Sequence, residues 1–166
     1  MKQMYLFLFF SLLSCGTKST HLSQIFCADC DYTVRVTRIV DGDTFRGLTS
    51  DSTGIVFRLY GIDAPEKNQA FADKSTQYLS DLIVGQTVGI KVQKKRDQYG
   101  RPVVWVYTSQ GQDVGAEMLK AGLAWHSKQF DTSAEYDNFE TQARALKSGL
   151  WQEVNPVAPW DFRARK

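Results

Sequence analysis

Cysteine and histidine are scarce in this chain, with 3 and 2 copies. That scarcity argues against a zinc module: such a site takes about four ligands, and only His21 lies near Cys27 and Cys30. A dithiol redox motif would want a neighbouring βαβ pattern, and none follows Cys27-Ala28-Asp29-Cys30. In an exported protein a small local disulfide is compatible with this spacing, and the pair reads as structural or incidental rather than catalytic. His126 stands alone and does not make a catalytic base. Net charge is also small, +2 for the whole chain. That excludes coating of duplex DNA by bulk charge, so any nucleic-acid affinity must be local. There is no internal repeat and no low-complexity block. The longest apolar run, from Tyr5 to Leu13, spans about nine residues against the ~20 that cross a bilayer.

That run has the length of a secretory signal core, preceded by the single charge of Lys2. It ends in Leu12-Leu13-Ser14-Cys15, small residues before a cysteine. Residues 1–14 therefore read as a lipoprotein-type signal peptide, with Cys15 as the lipidated first residue of the mature chain. Residues 15–31 read as a polar tether. The expected location is the cell envelope, through a lipid anchor at the membrane, or the exterior if Cys15 carries no lipid.

The remainder is the size of one domain. Tyr32 to Ile39 alternates apolar and polar residues, as a half-buried strand does. Asp41-Gly42 signals a hairpin, and Thr44 to Thr49 returns. Ile55 to Tyr60 is a third strand, with Ile55, Phe57 and Leu59 on one face. Phe71 to Val84 is helical and stops at Gly85. Thr87 to Gln93 and Val103 to Tyr107 are two further strands around a charged turn. Val114 to Ala121 is a short helix. Thr132 to Lys147 is a longer one, with Thr132 and Glu135 as a capping box and Tyr136, Phe139, Ala143 and Leu146 on one face. The expected fold is α+β: a five-stranded antiparallel OB-type barrel with three helices over residues 32–153. Residues 154–166 are left as a C-terminal tail.

The chemistry concentrates at strand ends. Asp41-Gly42-Asp43-Thr44 and Phe57-Arg58-Leu59-Tyr60-Gly61-Ile62-Asp63-Ala64-Pro65-Glu66 bring carboxylates and an arginine. Tyr99-Gly100-Arg101 adds a second arginine after a turn. Taken singly, Asp43 is a turn residue and Arg58 a solvated strand residue. Together, hard oxygen ligands for a cation and two guanidinium forks are what phosphodiester cleavage needs.

These motifs, with Asp97, Ala121-Gly122-Leu123-Ala124 and Gly149-Leu150-Trp151, resemble the staphylococcal nuclease (thermonuclease) family. The likeness runs in the same order from about Tyr32 to Trp151. It implies a calcium-dependent endonuclease acting on DNA and RNA and leaving 3′-phosphate ends. It implies calcium ligands at Asp43, Asp63 and the carbonyl of Ala64, where the family's best-known member has threonine. It implies Arg58 and Arg101 as the phosphate clamp and Glu66 as base or positioner of the attacking water. Tyr99, Lys128 and Phe130 are candidates for holding the substrate; Lys128 stands where the family often has an aromatic. No obligate protein partner is evident, and a monomer is expected. Two other readings remain. One is a non-catalytic OB module binding nucleic acid or protein, in which at least one of Asp43, Arg58, Asp63, Glu66 and Arg101 would be free to be lost. The other is an envelope lipoprotein that binds calcium only to hold its fold.

Overall fold

The structure, a computed structural model, describes residues 26–165. The signal segment, Cys15 and the tether up to residue 25 lie outside the described residues. In chain order the elements are β1 (Tyr32–Asp41), β2 (Thr44–Leu48), β3 (Gly54–Leu59), β4 (Ile62–Asp63), α1 (Ala72–Ile83), β5 (Thr87–Lys94), β6 (Val103–Tyr107), α2 (Val114–Lys120), β7 (Trp125–His126), α3 (Ala134–Ala145), a 3-10 turn (Gly149–Gln152) and α4 (Pro159–Ala164). Among the described residues no helix is long and apolar enough to cross a membrane.

Five strands close a barrel in the order β1-β2-β3-β6-β5, with β1 paired to β5. The period-2 alternation sends Val34, Val36, Phe45, Phe57, Leu59, Val88, Ile90, Val104 and Val106 inward, all at most 2% exposed. Each contributes about 1.5–3 kcal/mol by leaving water if it is a large side chain. Phe45 and Phe57 are register partners and stack at 5.1 Å between ring centroids. From outside the strands, Leu79 and Ile83 of α1 and Met118 and Leu119 of α2 complete this core, each 0% exposed.

Not every strand pair is antiparallel. β3 and β6 run parallel, with Arg58 opposite Val103 and Leu59 opposite Val104. Between them the chain crosses over through α1 and then turns in the β5–β6 hairpin, so β6 arrives in the direction of β3. A second sheet of two short strands, β4 and β7, pairs Ile62 with His126 and Asp63 with Trp125. It fixes the loop after β3 against the α2–α3 connection.

Three local expectations change. Residues 26–31, expected as tether, pack on the barrel. Cys27 and Cys30 are joined by a disulfide. A Cβ at Gly89 of β5 would lie 2.5 Å from both Cys30 Sγ and Phe26 Cβ, so only glycine leaves room for them. Asp31 then joins the sheet edge, its N–H donating to the Ile90 carbonyl at 2.8 Å and its side-chain Oδ2 accepting from Val92 N–H at 2.7 Å. The capping residue of α3 is Ser133, not Thr132. Its hydroxyl donates away from the helix, to Asp131 Oδ2 at 2.6 Å. Leu146 is 77% exposed, because α3 ends at Ala145 before the expected face can continue.

α2 is capped by Asp113, whose Oδ1 accepts from Ala116 N–H at 3.2 Å and from the Tyr136 hydroxyl at 2.9 Å. Burial pushes the Asp113 carboxyl up, and these donors pull against it. Tyr136 is 2% exposed. Asp113→Ala removes a cap and strands a buried hydroxyl. A loss of about 2–3 kcal/mol is expected in urea unfolding.

Candidate active site

The hairpin turn between β1 and β2 presents Asp43. Gly42 in that turn is seated against α1: a Cβ there would lie 2.0 Å from Ser75 Oγ and 2.7 Å from Ala64 Cβ. The close seat brings the turn against the loop that follows β4. Asp43 Oδ2 accepts from Ala64 N–H at 2.7 Å, Oδ1 accepts from the Thr44 hydroxyl at 3.0 Å, and Asp43 N–H donates to Asp41 Oδ1 at 3.1 Å. Asp43 and Asp63 are 6% and 4% exposed. Carboxylates so buried need cationic or N–H partners.

Arg58, on the outer face at the end of β3, joins the two. Its Nη1 contacts Asp43 Oδ1 and its Nη2 lies 2.9 Å from Asp63 Oδ1. Nη2 also donates to the Ile62 carbonyl at 3.3 Å. Burial lowers the Arg58 pKa, Asp63 and Asp41 raise it, and the charges of Arg101 and Arg163 lower it again. Each of the three guanidinium groups is paired with a carboxylate here, Arg58 with Asp43 and Asp63, Arg101 with Asp97, and Arg163 with Asp63 and Glu66.

Arg101 follows the β5–β6 turn and is held by Asp97. Asp97 Oδ2 accepts from Arg101 Nε at 2.8 Å, and its Oδ1 accepts from the N–H groups of Tyr99 and Arg101 at 2.9 Å. Partial burial raises the Asp97 carboxyl, but these donors outweigh it and leave it below the usual value. Arg101 Nη1 reaches the Thr44 hydroxyl at 3.4 Å, which links it to Asp43.

Glu66 sits in the loop after β4, its side chain 32% exposed. Its N–H donates to Gln69 Oε1 at 2.9 Å. The Glu66 carboxylate is paired by an unexpected residue. Arg163, in the segment expected as a C-terminal tail, lies on α4. Its Nη1 is 2.6 Å from Glu66 Oε1 and its Nη2 2.7 Å from Asp63 Oδ2. Hydrogen bonds to these carboxylates hold the Arg163 guanidinium firmly charged. A Pro at the first position of α4 after Val157-Ala158 was the one local cue to a helix there. Nothing local pointed to a contact about a hundred residues back.

A cavity of about 540 Å³ opens over this cluster, lined by Arg58, Asp63, Arg101 and Arg163 among others. Tyr99 and Phe130 stand on its rim, 73% and 68% exposed. Tyr60 steadies the Phe130 end by donating its hydroxyl to the Phe130 carbonyl at 2.6 Å. Lys128 is elsewhere. It pairs with Asp137 and lines a neighbouring cavity of about 520 Å³, which shares Asp63 and Arg163 with the first. His126 is 2% exposed, its Nε2 2.9 Å from Asp131 Oδ2. It serves the packing beneath this wall and does not reach the carboxylate cluster.

The donor set suits a hard divalent cation. Asp43 and Asp63 offer carboxylate oxygens that converge on one guanidinium, so a positive charge already sits between them. The arginines beside them offer paired N–H forks for phosphate. The arrangement can therefore neutralise a phosphodiester and keep a carboxylate beside it.

Comparison with known proteins agrees in kind. The family model described as staphylococcal nuclease homologue matches residues 56–153. The chain is similar to a protein named uncharacterized endonuclease from Escherichia coli O157:H7, 39% identical over 142 residues, 86% of this chain and 90% of the relative. It is similar to a namesake from Haemophilus influenzae, 40% identical over 140 residues, 84% of this chain and 78% of the relative. It is also similar to a micrococcal nuclease from Shigella flexneri, 36% identical over 143 residues, 80% of this chain and 81% of the relative.

Proposed function

Because this chain belongs to the staphylococcal nuclease family and is a nuclease by that membership, we propose that it is a calcium-dependent endonuclease for DNA and RNA. We place it at the cell envelope, carried by a lipid on Cys15. The observation that carries the enzymatic reading is the meeting of Asp43 and Asp63 on the Arg58 guanidinium, with Arg58, Asp63 and Arg101 lining one cavity.

Calcium held by Asp43, Asp63 and the Ala64 carbonyl would polarise a phosphate oxygen and offset its charge. The protein's own groups do the rest. Arg58 and Arg101 bind the non-bridging oxygens and stabilise the charge that builds in the five-coordinate species. Glu66 takes a proton from the attacking water, or aims that water in line at phosphorus. The new bond joins the water oxygen to phosphorus. The bond from phosphorus to the 5′ oxygen breaks, and that oxygen takes up a proton from solvent. One product ends in a 3′-phosphate and the other in a 5′-hydroxyl. Tyr99 and Phe130, exposed on the rim, are suited to stack on bases or sugars of an unpaired strand.

The test is cleavage of DNA and of RNA by the purified mature chain with calcium and then with chelator. Activity is expected only with calcium, and end-labelling should find 3′-phosphates. Equal cleavage in chelator would remove calcium from the reaction. Labelling with a radioactive fatty acid, in wild type and Cys15→Ser, tests the anchor.

A further inference from the structure

Asp63 has two carboxylate oxygens, and both are covered by guanidinium. Oδ1 is met by Arg58 Nη2 at 2.9 Å and by Arg163 Nη1 at 3.2 Å. Oδ2 is met by Arg163 Nη2 at 2.7 Å. Three of the roughly four lone-pair sites of the carboxylate are thereby taken, so a metal ion that takes an oxygen of Asp63 meets a guanidinium at either one. The two forks are not equal. The Arg58 side chain is 17% exposed and bonded to Asp43, Asp63 and the Ile62 carbonyl. The Arg163 side chain is 47% exposed, on a six-residue helix near the end of the chain.

That helix is held where its arginine can serve. Gln69 bridges the Glu66 loop to the C-terminal segment, taking the Glu66 N–H on Oε1 and donating from Nε2 to the Val157 carbonyl. Ala158 is buried, and Trp160 packs edge-on against Trp125 at 5.6 Å. Arg163 also lines the cavity into which Arg58 and Arg101 face. A guanidinium released from Asp63 stays within the site. Its Nη1 keeps Glu66 Oε1 at 2.6 Å, its Nη2 meets the like charge of a divalent ion, and a phosphate offsets that repulsion.

We propose that Arg163 acts as a tethered counter-cation: it competes with the metal for Asp63, and when displaced it binds the substrate phosphate, so that metal and phosphate are coupled through it. The inference rests on the calcium-dependent reading above. Linkage makes the coupling reciprocal.

The experiment is calorimetric titration of calcium into the whole mature chain, alone and with saturating thymidine 3′-monophosphate, in wild type, Arg163→Gln and Arg163→Lys. With no nucleotide, Arg163→Gln should bind calcium about tenfold more tightly than wild type, because the competing charge is gone. The nucleotide should tighten calcium binding by about tenfold more in wild type than in Arg163→Gln, where only the direct attraction between ion and phosphate remains. Arg163→Lys, which keeps charge but loses the fork, should fall between. Unchanged calcium affinity in Arg163→Gln would overturn the proposal and leave the residue a strut for α4. Weaker calcium affinity in a variant that melts like wild type would overturn it in the other direction, making Arg163 a support for the metal. A wild type that binds no calcium at all would sink the metal reading and this inference with it. Wild type that binds calcium and cleaves, beside an indifferent variant, sinks the inference alone.

Discussion

Glu66→Gln should lower kcat on DNA by about a hundredfold to ten-thousandfold while leaving the fold unchanged. The structure explains why the substitution is clean. Glu66 is one-third exposed and makes one side-chain ion pair, to Arg163 Nη1. Glutamine keeps an Oε1 to accept that bond and keeps the side chain's size. Its backbone N–H still meets Gln69. What is lost is the ability to take a proton from water. Melting should shift by no more than a surface substitution does, about 0.5 kcal/mol. Calcium binding should persist. Cleavage at the wild-type rate would show that another group, or bulk solvent, receives the proton.

Arg58→Ala should have the opposite character, damaging both stability and rate. Its guanidinium is shared by two buried carboxylates. Removing one partner of a buried pair costs about 3–5 kcal/mol, because the charge left behind is uncompensated. Here the lower end is expected. Asp43 keeps the Ala64 N–H and the Thr44 hydroxyl, and Asp63 keeps Arg163. A loss of that size is a large part of a typical domain's stability of about 5–15 kcal/mol. Excess calcium should restore much of it by supplying positive charge. Urea unfolding in chelator should therefore separate variant from wild type more than unfolding in calcium does. Catalysis should not recover. Loss of one preorganised donor to the developing charge is expected to cost about a hundredfold to a thousandfold in kcat even at saturating calcium. Equal destabilisation in chelator and calcium would mean that the two carboxylates are not the metal's ligands.

Much of the barrel was legible because its strands obey a strict alternation. Val34 and Val36, Val88 and Ile90, Val104 and Val106 each declare an inner face, and each pair is buried. Direction was less legible. The parallel pairing of β3 with β6 is decided by how the barrel closes, which no local pattern records. β4 and β7 are two residues each and leave no periodicity to detect. The expected face of α3 runs on to Leu146, which is exposed, since amphipathic spacing continues in sequence after the helix has stopped.

The carboxylates and arginines near the strand ends could be read because turns concentrate them within short motifs. Asp43, Arg58 and Asp63 do meet, and Arg101 connects to them through Thr44. Lys128 could not be placed by the same means. Its ammonium turns to Asp137, an acid on the next helix that a motif comparison does not weigh. Arg163 was hidden for a different reason. In Phe162-Arg163-Ala164-Arg165-Lys166 it is one cation among three, and only tertiary docking of a short helix distinguishes it.

The tight seat of Gly42 on Ser75 gives Asp43 a lever outside its own turn. Ser75 donates its hydroxyl to the Leu123 carbonyl at 2.7 Å, so hairpin tip, helix and the strand-bound connection beyond α2 touch at one point. A small slide of α1 would carry that oxygen donor with it. The position of that carboxylate is then set in part by α1 and the segment it holds, and not by the hairpin alone.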